Sequence, residues 1–153
     1  MSIAPVQVGV EGEVEEPGGI LEDGYSKDSQ RIALFLTTLR KPSGMSRGEF
    51  RAFRKRALKY AVIGKELYRR GSKNMPSRIV VDSLEKRSAI LKDLHEESGH
   101  KGRESTYWRI FVRYYWEGCY EDTKKYVASC KECQLRSSLR LEEALYPTYT
   151  STI

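Results

Sequence analysis

The chain has 153 residues, enough for one ordinary domain or two small modules with tails, but not for a large enzyme core. Its formal charge of +6 is uneven: residues 1–30 hold seven acids and one Lys, net −6, which leaves +12 on the remainder. A basic chain without an apolar run of about 20 residues attracts nucleic acid rather than lipid, unless its cations are merely solvated.

The first residues, MSIAPVQVGVEGEVEEPGG, mix acids, Gly and Pro and lack both the basic start and the apolar stretch of a signal peptide. Secretion is not indicated, and residues 1–27 read as a disordered acidic tail with too little apolar surface to offset ordering entropy. From Asp28 the pattern changes. Ile32, Phe35, Leu36 and Leu39 recur at helical spacing until Lys41-Pro42-Ser43-Gly44 stops the run. Ser46-Arg47-Gly48-Glu49 has the capping-box form, so a second helix is predicted from there, with Phe50, Phe53, Ala57, Tyr60 and Ala61 on one face and five cations crowding the rest. Ile63-Gly64 closes it. Leu67–Arg70 and Arg78–Val81 then read as a small hairpin around the Gly71–Pro76 turn region. Asp82 or Ser83 caps a third helix with Leu84, Ile90, Leu91 and Leu94 inward and His95 beside them. Thr106–Phe111 and Glu121–Ser129 read as two more helices, and no period survives beyond Gln134.

Both histidines of the chain fall in "HEESGH", His95 and His100. Residues five apart on a helix differ by about 500° of rotation, or about 140° net, so the two imidazoles converge only if the helix stops between them. Gly99 is the natural stop, because Gly tolerates the left-handed backbone that ends helices. The partners suggested for them are Cys130 and Cys133, a Cys-x-x-Cys knuckle. Two imidazoles and two thiolates suit zinc, and a closed tetrahedral set leaves no place for substrate, so the predicted ion is a single structural Zn2+. A redox pair is the competing reading of Cys130 and Cys133, but it expects a thioredoxin-like βαβ setting that the flanking segments do not provide. Without a signal peptide these thiols belong to a reducing compartment. Cys119, outside the paired spacing, is read as a buried small hydrophobe. A unit of about fifty residues is marginal on core burial alone, and structural zinc adds apparent binding energy on the order of 10 kcal/mol.

The stretch from His95 to Gln134 resembles the His-His-Cys-Cys zinc-binding domain of integrases, specifically those of Ty3/gypsy-type long-terminal-repeat retrotransposons. The resemblance rests on His95, Gly99-His100-Lys101-Gly102, Thr106, Tyr115-Trp116-Glu117-Gly118, Asp122, Tyr126-Val127 and Cys130-Lys131-Glu132-Cys133-Gln134. Glu117 stands where Pro is frequent and Cys119 where Met is common. The resemblance implies a mainly α fold: a small zinc-stabilised helical bundle over residues 83–136, preceded over 28–82 by a helical extension with a β-hairpin. Residues 137–153 would lead toward a catalytic core whose Asp-Asp-Glu carboxylates this sequence lacks. A chain without them is expected not to cut or join DNA and to be a fragment or remnant of an integrase polyprotein. The resemblance also implies contact with DNA and support of integrase multimers, in an intracellular, nuclear setting. Lys101, Arg103, Arg109, Arg113, Lys124 and Lys125 are the phosphate-contact candidates, with Tyr107 and Trp108 available to stack or to pack. The alternative is a protein-interaction module whose basic surface is incidental.

Overall fold

The computed structural model describes the backbone of residues 19–142 and the side chains of residues 19–137. The fold is mainly α, with six helices and one small sheet among the described residues. Helix α1, Lys27–Thr38, opens on Ser26, whose hydroxyl accepts the Ser29 N–H at 3.2 Å. It closes at Leu39, whose left-handed backbone lets its N–H reach the Phe35 carbonyl at 2.7 Å. That geometry turns Leu39 outward, 75% exposed, against its place in the apolar spacing. Helix α2, Arg47–Ala57, carries the predicted capping box: the Ser46 N–H donates to Glu49 at 2.7 Å and the Glu49 N–H to the Ser46 hydroxyl at 3.3 Å.

Helix α2 ends earlier than the spacing of Tyr60 and Ala61 predicts. Tyr60–Ile63 is strand β1, turned at Gly64 (φ +61°) into β2, Glu66–Arg69. β-branched and aromatic side chains favour this ladder over another helical turn. The predicted hairpin is present as β2 against β3, Arg78–Val80, so the unit has one strand more than expected. A short strand β4, Tyr114–Tyr115, adds in parallel to β3, giving the order β1-β2-β3-β4.

Successive residues at the end of β3 face opposite ways. Val80 belongs to a core of Leu21, Ile32, Ala33, Phe35, Phe53, Ala57 and Leu67, whereas Val81 belongs to one of Leu91, Leu94, Ile110, Trp116 and Cys119. The sheet therefore joins two small cores. Leu21 is 3% exposed, and Ile20 and Tyr25 pack beside it, so residues 20–25 belong to the folded unit rather than to the tail expected over residues 1–27; residues 1–18 lie outside the described residues. The apolar surface that residues 1–27 were expected to lack is supplied by these three side chains.

Helix α3, Leu84–Glu97, is capped by Ser83 and buries Leu91, Leu94 and His95; Leu84, at its first turn, is 72% exposed rather than inward. Helices α4, Arg103–Phe111, and α5, Cys119–Ser129, each start a turn or less before the predicted positions. The Trp116 indole N–H donates to Asp122 at 2.9 Å and fixes the α4–α5 connection. The segment after Gln134, expected to be a linker, continues as helix α6, Lys131–Glu142; residues 143–153 lie outside the described residues. Good helix formers carry it without an apolar stripe.

Candidate metal centre

Helix α3 ends in a Schellman arrangement in which the His100 N–H donates to the His95 carbonyl at 3.1 Å and the Gly99 N–H to Glu96 at 2.9 Å. Gly99 takes φ +68°, as predicted, but His100 also takes a left-handed backbone, φ +55°. The two positions that this motif brings together, normally an apolar pair, are here the two histidines. Their rings meet edge to face with centroids 4.9 Å apart. Arg136 of α6 donates to the Gly99 carbonyl at 3.3 Å, a cation closing the helix end.

Cys130 ends α5 in an extended conformation, and Cys133 sits in the first turn of α6. Cys133 Sγ lies 3.3 Å from His95 Nε2, and Cys130 Sγ lies 3.4 Å from His100 Nδ1. All four donor atoms fall within 4.8 Å of one another. Around a tetrahedral zinc with Zn–S of about 2.3 Å and Zn–N of about 2.0 Å, neighbouring N and S atoms are separated by about 3.5 Å, so this donor set fits one ion. His95, His100, Cys130 and Cys133 are positioned to hold a single Zn2+.

The contacts behind the imidazoles select the ligating nitrogen of each. The Thr106 hydroxyl donates to the Lys101 carbonyl at 3.2 Å and lies 3.0 Å from His95 Nδ1. Its proton is committed, so its oxygen accepts from Nδ1–H and the lone pair is left on Nε2, the atom that faces Cys133. His100 Nε2–H donates to the Glu132 carboxylate at 2.8 Å, which leaves the Nδ1 lone pair toward Cys130. Burial, and then the neighbouring His100, lowers the pKa of His95 and keeps it neutral. Burial first, and Cys130 next, pushes the Cys133 thiol up. Two adjacent thiols resist joint ionisation, and a divalent cation between them reverses that preference. Thr106→Val should therefore weaken zinc binding about 10- to 100-fold, measured by competition with a chelating dye. An unchanged affinity would show that the His95 tautomer is set elsewhere.

Sequence reasoning gave no role to Thr106 or Glu132. Glu132 could have been found as the acid inside Cys-x-x-Cys; Thr106 needed the turn that brings α4 back beneath His95. Cys119 is buried outside the ligand group, and burial raises its pKa to about 11. Lys101, Arg103, Arg109, Arg113, Lys124 and Lys125 are all exposed, spread over the α3–α4 loop, α4, the connection to β4, and α5. Arg103 pairs with Glu104 at 3.1 Å and Lys124 with Glu121 at 3.9 Å, whereas the other four have no ion pair among the described residues. Tyr107 packs on the second core and edge-on to Tyr120; Trp108 is 59% exposed.

Residues 83–138 match the sequence model of the integrase zinc-binding domain family. Among curated proteins the chain is similar to Gypsy retrotransposon integrase-like protein 1 of Pongo abelii, 33% identical over 89 residues, covering 57% of this chain and 17% of that protein. The protein of the same name from Homo sapiens is 30% identical over 108 residues, covering 69% of this chain and 21% of that protein. The chain thus spans about a fifth of the length of the curated relatives it matches. No solved structure matches. The family match, these relatives and the closed His-His-Cys-Cys group together make residues 83–138 an integrase zinc-binding domain.

Proposed function

We propose that this chain is a non-catalytic, zinc-locked module related to integrases that binds nucleic acid, DNA in particular. The observation that carries the reading is the set of four exposed cations, Lys101, Arg109, Arg113 and Lys125, left without acidic partners among the described residues around a rigid metal-held helix cluster. Unneutralised cations on a rigid frame attract phosphate without a further ordering cost. The ligand set is closed, so the zinc has a holding role and no position for a substrate. No described helix is long and apolar enough to cross a membrane. Three cysteines without a disulfide among the described residues suit a reducing interior, and a DNA partner would be met in the nucleus, the setting this reading carries with it.

Binding to duplex DNA measured against salt tests the reading. With four phosphate contacts, affinity should fall about 100-fold between 50 and 200 mM salt. Replacing Arg109 and Arg113 by Gln should flatten that dependence by about two contacts. Absence of DNA binding at low salt, together with a stable dimer, would sink the proposal and favour subunit association through the same domain.

A further inference from the structure

Arg69 on β2 and Arg78 on β3 are opposed in the antiparallel register, so their side chains leave the same face of the sheet. Like charges directly opposite one another destabilise a sheet. Neither arginine has a carboxylate within ion-pair distance among the described residues. The guanidiniums are held by rings instead: Arg69 lies 5.0 Å from the Tyr60 centroid and 4.9 Å from Tyr115. Arg78 lies 4.5 Å from Phe111 and 5.2 Å from Tyr115. Trp108 stacks on Phe111 at 5.5 Å, and it is the exposed end of this row of alternating rings and cations.

Ring contacts fix the planar forks of both guanidiniums. The Nε of Arg78 is buried without a hydrogen-bond partner. Mutual repulsion and partial desolvation disfavour the bare pair, and the phosphates of a bound strand, one at each guanidinium, would relieve both. We propose that Arg69 and Arg78 form a phosphate-binding pair for a nucleic-acid strand, with the exposed Trp108 ring receiving an unpaired base. A strand is favoured over an acidic peptide because a base-sized ring lies in the same row as the cations. The site rests on the nucleic-acid reading above, but it uses the sheet rather than the cations around the zinc.

The test titrates the zinc-loaded full chain with a short single-stranded oligonucleotide across a range of salt. Wild-type binding should quench Trp108; Trp116, the other tryptophan, is buried and serves as reference. The double variant Arg69→Gln, Arg78→Gln should bind about tenfold more weakly, with a log–log salt slope smaller by about 1.4, since each phosphate contact on a single strand contributes about 0.7. Trp108→Leu should abolish the quench and leave the slope intact. If the double variant loses zinc, Arg69→Gln alone carries the test through a slope change of about 0.7. Wild-type binding with unchanged affinity and slope in the variants overturns this site and leaves the nucleic-acid reading standing. No strand binding and no duplex binding by wild type overturns both. Equal competition by polyglutamate overturns the strand as ligand.

Discussion

Cys133→Ala or His100→Ala should abolish stoichiometric zinc and unfold the C-terminal half of the chain. Metal analysis and circular dichroism would check this, and a folded, zinc-free variant would refute the assignment. The expected size follows from the small core that the metal supports. Five aliphatic or aromatic side chains and Cys119 form the second cluster, and His95 is fully buried against it. Apparent binding energy on the order of 10 kcal/mol exceeds the 5 to 15 kcal/mol stability of an ordinary domain at its lower end, so removing one ligand removes most of what holds this unit. Cys119→Ser is the control. Its thiol lies outside the ligand group and is held protonated by burial, so the variant should still bind one zinc per chain. Loss of the metal there would show that the wrong thiols had been chosen.

Ile110→Ala should destabilise the holo chain by about 2 to 5 kcal/mol, because Ile110 is fully buried in the second core and the space it leaves closes only in part. If the apo zinc unit is unfolded, that cost appears in full as weaker zinc binding, at least about 30-fold at 1.4 kcal/mol per decade. It is smaller than the metal's own contribution, so saturating zinc should restore the fold. Leu67→Ala removes an equally buried side chain from the first core and should cost a similar amount while leaving zinc affinity nearly unchanged. Chemical denaturation followed by both helix signal and zinc release separates the two. Equal losses of zinc affinity in both variants would show that the sheet couples the cores into one cooperative unit.

The zinc ligands were legible because they obey local rules. Helical rotation demands a break between His95 and His100, Gly99 offers one, and the Cys-x-x-Cys spacing supplies the remaining donors. The Ser46 and Glu49 capping box was legible for the same reason: its partners lie three residues apart. Helix ends were harder. Leu39 and Leu84 continue the apolar spacing of their helices yet lie exposed at the termini, where the neighbouring element no longer covers that face. Tyr60 and Ala61 fit the stripe of α2, and only pairing with Leu67–Arg69 draws them into a strand. A four-residue strand carries too little periodicity to announce itself. Leu21 was hidden by its acidic, Gly-rich surroundings, although the core that receives it is built from α1, α2 and the sheet.

The sequence by itself determined the identity of the four zinc donors, the mainly helical architecture and the excess of positive charge after residue 30, all properties of composition or of residues a few positions apart. Only the tertiary structure decided which nitrogen of each histidine faces the metal, since Thr106 comes from another helix and Glu132 lies beyond a long excursion of the chain. It alone set Arg69 against Arg78 and placed both between Tyr60, Tyr115 and Phe111, because strand register is fixed by nonlocal pairing. The "HEESGH" stretch shows the division: the need for a left-handed turn is local, but the left-handed backbone of His100 itself is held by what converges on it, Cys130, Cys133 and Glu132.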